Sequence, residues 1–321
     1  MTTFGYHASH EQHRPGALLE YVRAAEAAGF AAAMCSDHFH PWTDAQGQSG
    51  FAWSWLGAAL EATRLSFGTV NAPGWRYHPA IIAQAAATLA DMYPGRHWVA
   101  VGSGEALNEG ITGVAWPEKD ERMARLEESV AVMRALWRGE TVTHRGRVTV
   151  VEAKLYTRPE SPPLLFGAAL SEETAERVGA WADGLITTGR PREELARMIA
   201  AFHRGGGEGK PVRVQHALSW APTEEEARRG AHEQWAWSAL GGEVIAELRT
   251  PAQFAAAAAF VRPQDVAERL RVSADPARHA GWLAEYVELG VDVVYCFNVN
   301  REQRAFIDAF GERVLPQLRG A

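Results

Sequence analysis

The stretch "LSFGTVNAPGWRYHPAIIAQAAATLADMYPGRHWVAVGSG", Leu65–Gly104, contains the unit from which the whole fold can be predicted. The short apolar run Leu65–Val70 predicts a buried strand. His78–Gly95 has the apolar spacing of a helix and closes on a Pro-Gly pair, and His97–Gly104 predicts the next strand. Two strands joined by a crossover helix of this length lie parallel, so the stretch indicates a βαβ unit.

The same alternation of apolar run and amphipathic segment continues along the chain. Eight runs are predicted as strands: Phe4–Ser9, Phe30–Asp37, Leu65–Val70, His97–Gly104, Pro162–Leu170, Asp183–Gly189, Val212–Pro222 and Val291–Val299. A hairpin near 141–156 and an Ala-rich segment at 241–272 read as insertions. Eight βα units in 321 residues favour an α/β fold, a single-domain (β/α)8 TIM barrel with insertions. A doubly wound open sheet is the alternative.

Composition excludes several classes of function. The net charge of −7 and the lack of a basic block argue against binding to nucleic acid. Two cysteines, Cys35 and Cys296, cannot form a disulfide framework and suggest a reducing compartment. The polar N-terminus lacks a signal core, and we find no apolar stretch of membrane-spanning length. We therefore expect a cytoplasmic protein that does not contact a membrane.

Polar side chains crowd the predicted ends of the strands, where barrels of this type place their function. Ser36–Trp42, "SDHFHPW", admits three interpretations: a metal site, a structural corner or a catalytic strand end. His38 and His40 match no strong ligand signature, so no metal is expected. The turn Gly102–Glu105 follows the fourth strand and ends in a carboxylate. An imidazole and a carboxylate in one cleft form a plausible acid/base pair, which favours the catalytic interpretation.

Four motifs carry a family resemblance: "GYHAS", "SDHFHPW", "APGWRYHPAIIAQAAATLADMYPGR" and "GSGEALNE". They resemble the luciferase-like barrel superfamily, and most closely its F420-dependent glucose-6-phosphate dehydrogenase branch. The fuller "GYHASHEQ" and "QGQSGFAWSWLGAAL" stretches resemble a sub-group thought to have reverted from coenzyme F420 to FMN. The resemblance implies a flavin-type oxidoreductase with FMN, or alternatively F420, as its cofactor. It also implies a homodimer acting on a small-molecule substrate.

Transferred residue by residue, the resemblance implies specific roles. His38 would handle the proton, Glu105 would be the second acid/base, and Trp42 would line the substrate side. The implied coenzyme contacts are Asp37, Thr69, Val70, Asn71, Ser103, Gly104, Asn108, Gly167, Ala168 and Thr188. Thr69–Asn71 would correspond to a bulge with a non-proline cis peptide bond.

The chain also departs from that pattern. The family holds the substrate phosphate with two Lys and one Arg. Arg269 matches the Arg and Arg190 falls at or next to the first Lys, but the second Lys falls in Phe254–Phe260, "FAAAAAF", which has no cation. Glucose-6-phosphate is therefore not the expected substrate, because a dianionic phosphate would lose a charge-assisted contact. Ala72 replaces the hydroxyl residue expected before Pro73.

Hydride transfer between FMN (or F420) and a small organic substrate is the predicted function. The alternatives are an F420-dependent dehydrogenase of an alcohol or sugar, a reduced-flavin monooxygenase and a non-catalytic flavin-binding or storage protein. Only a catalyst needs His38 and Glu105, so replacing both residues would discriminate between an enzyme and a binder.

Overall fold

A closed barrel of parallel strands forms the centre of the computed structural model, which describes residues 1–318. The strands are β1 Thr3–Ala8, β2 Ala32–Cys35, β3 Ser66–Asn71, β4 His97–Val101, β5 Val142–Arg145, β6 Thr149–Ala153, β7 Leu164–Ala168, β8 Gly184–Thr188, β9 Val212–Ser219, β10 Arg271–Val272 and β11 Val293–Asn298. The hydrogen-bonded order is β9-β11-β1-β2-β3-β4-β7-β8, and β8 pairs with β9 to close the ring. The predicted eight-stranded barrel is confirmed, because a doubly wound sheet would leave two open edges.

Helices surround this barrel. They are α1 Pro15–Ala27, α2 Ala52–Ala62, α3 Pro79–Met92, α4 Ala106–Glu109, α5 Lys119–Trp137, α6 Glu172–Gly179, α7 Arg192–Phe202, α8 Glu224–Trp235, α9 Gly242–Glu247, α10 Pro251–Ala257, α11 Pro263–Ala267, α12 Pro276–Glu288, α13 Gln303–Arg313 and α14 Leu315–Leu318. The sequence interpretation missed α12. The N-cap of this helix is Asp275, whose Oδ1 atom accepts a hydrogen bond of 2.9 Å from the backbone N–H of Ala277.

The lower half of the barrel, at the N-terminal ends of the strands, is filled by side chains. The guanidinium of Arg213 lies 4.2 Å from the ring centre of Phe166 and 4.5 Å from that of Trp98. Its Nη1 atom donates a hydrogen bond of 3.0 Å to Oη of Tyr295. Gly5 leaves room for that ring, since a Cβ there would lie 2.6 Å from Tyr295 Cδ1. The lower half is therefore a packed core.

The chain outside the βα alternation adds two structures. Strands β5 and β6 form an antiparallel hairpin within 141–156, and α9 to α11 occupy 241–272. The Nε1 atom of Trp116 donates a hydrogen bond of 3.1 Å to the carbonyl oxygen of Ala246, which ties α9 to the segment after β4. Across the described residues, no helix is both long and apolar enough to cross a membrane.

Candidate active site

The candidate site lies at the C-terminal ends of three strands that are close together in the barrel. The loop after β2 carries Asp37, His38 and Trp42. The turn after β4 carries Glu105, and the loop after β1 carries Glu11. Because β1 pairs with β2, and β3 joins β2 to β4, these segments meet on one side of the mouth.

His38 lies between two carboxylates. Its Nε2 atom is 3.5 Å from Glu11 Oε1 and 4.0 Å from Glu105 Oε2. Its Nδ1 atom is 3.3 Å from the carbonyl oxygen of His40, and 15% of its side chain is exposed. The structure thus brings together the predicted acid/base pair and adds a second carboxylate. Within residues 1–318, no cluster of three or more His, Cys, Asp or Glu side chains could hold a metal ion.

Glu11 is a candidate functional residue that the sequence interpretation missed. Its Oε2 atom accepts hydrogen bonds from the hydroxyls of Ser9, at 2.9 Å, and of Ser36. The polar run Ser9–His13, which follows β1 directly, was the available signal, because it occupies a strand end like the others. Burial favours the neutral carboxyl of Glu11, but the charge of His38 and the Ser36 hydrogen bond outweigh burial and hold its pKa below the ordinary value.

The environments of Glu11 and Glu105 shift their pKa values in opposite directions. Burial raises the pKa of Glu105, and the negative charge of Glu11 adds to this rise, while His38 opposes it. Glu105 Oε2 is buried and has no hydrogen-bond partner among residues 1–318. Two carboxyls with diverging pKa values next to one imidazole indicate one ionised partner and one proton carrier. Glu11 is suited to the first role and Glu105 to the second.

Asp37 precedes His38 and is buried against a cation. Its Oδ1 atom accepts a hydrogen bond of 3.0 Å from Tyr77 Oη and lies 3.4 Å from Arg76 Nη1. Burial raises the pKa of Asp37 by more than the charge of Arg76 lowers it. The Oδ2 atom is buried and, in the described part of the chain, has no partner. Asp37 therefore offers one unused acceptor at the mouth.

The three predicted residues of β3 have different surroundings. Thr69 Oγ1 donates a hydrogen bond of 2.9 Å to the carbonyl oxygen of Cys35, and Asn71 Nδ2 donates one of 3.1 Å to that of Ala100. Val70 packs on the cluster inside the barrel. The expected cis bulge is wrong, since every peptide bond of residues 1–318 is trans. The physical reason is that β3 stays in regular register with β4 through its last residue, Asn71.

The turn after β4 holds three further predicted contacts. Asn108 Oδ1 accepts hydrogen bonds from the backbone N–H groups of Phe39, at 2.9 Å, and His40, at 3.3 Å. This oxygen therefore holds the β2 loop. Gly104 has a φ of +86°, a conformation that favours glycine, and Ser103 beside it is partly exposed.

The predicted contacts on β7 and β8 lie farther around the barrel. Ala168 packs on the interior cluster at the end of β7, and Thr188 is exposed at the end of β8. Gly167 faces outward instead, because a Cβ there would lie 2.6 Å from Cβ of Val178 on α6. Its lack of a side chain therefore serves the packing of a helix against the sheet.

Trp42 forms a wall beside His38. Its ring stacks on Trp237 with centroids 3.9 Å apart and planes 11° apart, and it meets Phe254 edge-on at 5.3 Å. The His38 ring centroid lies 5.1 Å from that of Trp42. Phe254 belongs to "FAAAAAF", and Ala258 of the same segment is buried in this cluster. The segment that lacks the family's third cation therefore contributes an apolar surface behind Trp42.

Arg190 and Arg269 lie away from His38 along the barrel order. Arg190 follows β8 and donates to neutral oxygens, including Thr187 Oγ1 at 3.0 Å and the carbonyl of Thr188 at 3.3 Å. Burial lowers the pKa of Arg190. Arg269 is exposed just after α11. Neither forms an ion pair with a residue that the structure describes.

Comparison with known proteins gives consistent matches. The family model for luciferase-like monooxygenases matches residues 1–293. An F420-dependent glucose-6-phosphate dehydrogenase from Beutenbergia cavernae is 36% identical over 330 aligned residues, which cover 99% of this chain and 98% of that protein. A Segniliparus rotundus protein of the same name is 37% identical, with 98% and 97% covered. The solved structure of an F420-dependent secondary alcohol dehydrogenase with an F420-acetone adduct superposes with a TM-score of 0.92 at 33% identity, covering 99% of both chains.

Proposed function

Because this chain belongs to the luciferase-like family, we propose that it is an F420-dependent oxidoreductase that transfers a hydride between the coenzyme and a small alcohol or its carbonyl product. Family membership makes it an enzyme of the flavin-type oxidoreductase class. The observation that carries the proposal is the position of His38, with Glu11 and Glu105 on either side of its Nε2 atom.

The residues at the mouth fit a flavin-type ring. Buried acceptors without a partner among the described residues, Asp37 Oδ2 and Asn71 Oδ1, suit the N–H donors of such a ring. Val70 and Ala168, which pack on the interior cluster, would supply apolar surface for such a ring. When bound, the coenzyme supplies the ring atom that accepts or returns the hydride. The relatives favour F420 over FMN, the cofactor that the sequence interpretation ranked first.

The proton acceptor and the proton donor of the site match alcohol oxidation. His38 Nε2 can accept the hydroxyl proton while the hydride leaves the alcohol carbon, so that the alcohol becomes a carbonyl. The charge of Glu11 stabilises the imidazolium that results. Glu105 retains its proton more readily than an ordinary carboxyl and can donate it or a hydrogen bond into the mouth.

An uncharged substrate suits the surroundings of His38. Trp42, Trp237 and Phe254 form an apolar wall, which favours a small organic group. A second candidate is oxidation of glucose-6-phosphate, which is the activity named for the relatives of 36% and 37% identity. Arg190 and Arg269 support that candidate because neither guanidinium is paired with a carboxylate of residues 1–318. The apolar "FAAAAAF" segment disfavours it.

We expect a homodimer, as the family resemblance implies, and Phe51, Ile81 and Met92 expose more than half of their side chains around α2 and α3. Light scattering should then give twice the mass of the 35.1 kDa chain. The two free cysteines, Cys35 and Cys296, are buried, which is compatible with the cytoplasm.

Coenzyme titration followed by turnover tests this function. The purified protein would be titrated separately with F420 and FMN, and quenching of ligand fluorescence would give each Kd. We expect F420 to bind at least about tenfold tighter, a difference of about 1.4 kcal/mol. A secondary alcohol should then bleach the F420 absorbance, and the His38→Asn variant should bind F420 but bleach it at least about 100 times more slowly. Bleaching by glucose-6-phosphate alone would establish the second candidate, and binding of neither coenzyme would overturn the proposal.

A further inference from the structure

Arg76 connects the two segments that carry the acid/base pair. We propose that it is a positioning residue, which holds the β2 loop against the turn after β4 and thereby sets the distance between His38 and Glu105. This inference rests on the proposed function of the same site. Arg76 itself lies in the loop after β3, between those two segments, and only 7% of its side chain is exposed.

One side of the guanidinium holds the β2 loop. Nη2 of Arg76 donates a hydrogen bond of 2.6 Å to the backbone carbonyl of Asp37. Nη1 lies 3.4 Å from the Asp37 carboxylate and donates a hydrogen bond of 2.9 Å to Tyr77 Oη, which in turn donates to Asp37. Both the backbone and the side chain of the residue before His38 are therefore fixed.

The other side of Arg76 holds the turn that carries Glu105. Its Nε atom donates to Glu109 Oε1 at 3.1 Å, and its backbone N–H donates to Glu109 Oε2 at 3.1 Å. The backbone N–H of Glu109 donates to the carbonyl of Glu105 at 3.0 Å. Gly104 packs on the same side chain, since a Cβ there would lie 2.9 Å from Glu109 Cγ. A shift of Glu109 would therefore move Glu105.

Only arginine can make both connections. Its planar fork presents donors in two directions, whereas lysine offers a single ammonium. Asp37 and Glu109 share this one guanidinium in a buried site, and burial raises the pKa of Glu109 to about 6 despite Arg76. Removing Arg76 would leave two buried carboxyls without a cation. The two loops would then separate, or the carboxyls would bind protons.

Asn108 provides a second connection between the same segments. Its side-chain oxygen binds the N–H groups of Phe39 and His40, directly after His38. His38 is thus held from both sides, by Arg76 through Asp37 and by Asn108 through the next two residues. The side chain of His38, between these two anchors, therefore has little freedom to move away from Glu105, whose Oε2 atom lies 4.0 Å from His38 Nε2.

The test compares Arg76→Gln, Arg76→Lys and the double variant Arg76→Gln/Glu109→Gln with wild type. Misplacement of reacting groups by about 1 Å can cost about 100-fold in rate. We expect Arg76→Gln to lower kcat by about that factor with substrate KM changed by less than about threefold. Arg76→Lys should recover part of the loss. The double variant should regain part of the lost melting temperature, because the uncompensated charge of Glu109 is gone while that of Asp37 stays, but it should not regain kcat.

A matched control and a structural readout complete the experiment. Arg134 forms a more exposed pair away from the site, with Nη2 2.8 Å from Asp183 Oδ1 in the loop before β8, so Arg134→Gln should leave kcat within about threefold of wild type. Crystal structures of wild type and the double variant would give the His38 Nε2 to Glu105 Oε2 distance, which we expect to lengthen by about 1 Å or more.

The outcomes separate the two proposals. If wild type transfers hydride but Arg76→Gln keeps kcat within threefold, or the double variant regains kcat, the positioning role is wrong and the proposed function stands. If wild type transfers no hydride with either coenzyme, the proposed function is wrong. The crystallographic distance then decides the positioning role, which an unchanged separation in the double variant would overturn.

Discussion

The loops after β2 and β8 lie on opposite sides of the barrel, four strands apart, and they carry opposite charge. On the β2 side, Glu11, Asp37 and Glu105 surround or adjoin His38. On the β8 side, Arg190 is held by hydroxyl and carbonyl oxygens. The acidic side contains the groups proposed to move or stabilise a proton, whereas the basic side contains a guanidinium that forms no ion pair with a carboxylate of the described chain.

The two sides also differ in how much free energy it costs to bury their charged side chains. A buried carboxylate is tolerated only with hydrogen bonds or a partner charge, and those of Glu11 and Asp37 are supplied by serines and by Arg76. Arg190 is only partly buried and remains next to solvent. The β2 side is therefore built for fixed geometry, and the β8 side tolerates change. Substitutions on the two sides should differ accordingly.

Replacement of His38 by Asn should have the largest effect. Asparagine keeps a polar side chain but cannot accept the substrate proton at neutral pH, so we expect kcat to fall by about 10² to 10⁴. The F420 Kd, measured by fluorescence quenching, should stay within about threefold. His40→Asn is the matched control, because Nδ1 of His40 lies 2.9 Å from the carbonyl of Leu107 and away from Glu11. More than a tenth of wild-type kcat in His38→Asn would refute the assignment.

Glu11→Gln should have the second-largest effect. Glutamine still accepts from Ser9 and Ser36, but it removes the negative charge that faces His38 Nε2 at 3.5 Å. A hydrogen bond to a charged group is worth about 1.5 to 3 kcal/mol, so kcat/KM should fall by about 10- to 100-fold. Ser9→Ala, which removes one hydrogen bond and no charge, should cost less. Equal losses in both variants would show that orientation of Glu11, and not its charge, matters.

Glu109 should make folding stability depend on pH. Its pKa is raised from 4.5 to about 6, so the folded protein binds this proton more tightly than the unfolded chain does. The native state therefore loses about 2 kcal/mol as pH rises through that window, at about 1.4 kcal/mol for each pKa unit. Urea unfolding of wild type and Glu109→Gln at several pH values would measure it. A difference between the two that does not change between about pH 4 and about pH 7 would contradict the prediction.

The barrel was predictable from sequence because each βα unit is encoded locally. Apolar runs and helix periodicity lie within single stretches, and closure follows from their number. The missed helix α12 has an N-cap, Asp275, that can be recognised locally. It follows the Ala-rich insertion and not a predicted strand, so it was not assigned to a βα unit. Positions at neighbouring strand ends predicted the pairing of His38 with Glu105, the resemblance assigned a role to each, and the structure brings the two side chains together.

The rest of the site depends on contacts between loops. Glu11 and Ser36 are 25 residues apart, and Arg76 and Glu109 are 33 apart. Their meeting is set by strand register and by the closure of the barrel, which no local pattern encodes. The same applies to Asn108, which the resemblance assigned to the coenzyme although its oxygen binds the neighbouring loop. Residue type at a strand end indicates where a site is, and the register determines which side chains form pairs.

Arg190→Gln should have the smallest effect for an uncharged alcohol. Its hydrogen bonds go to neutral oxygens, and no contact joins it to His38 or Glu105, so kcat/KM should change by less than about threefold. A phosphorylated substrate would behave differently, because loss of a charge-assisted hydrogen bond costs about 1.5 to 3 kcal/mol, or about 10-fold or more in kcat/KM. Assays of both substrate classes with wild type, Arg190→Gln and Arg269→Gln would separate the cases. A loss above tenfold in kcat/KM with the uncharged alcohol would show that Arg190 is needed to hold the site in place. The β8 side would then differ from the β2 side in charge alone.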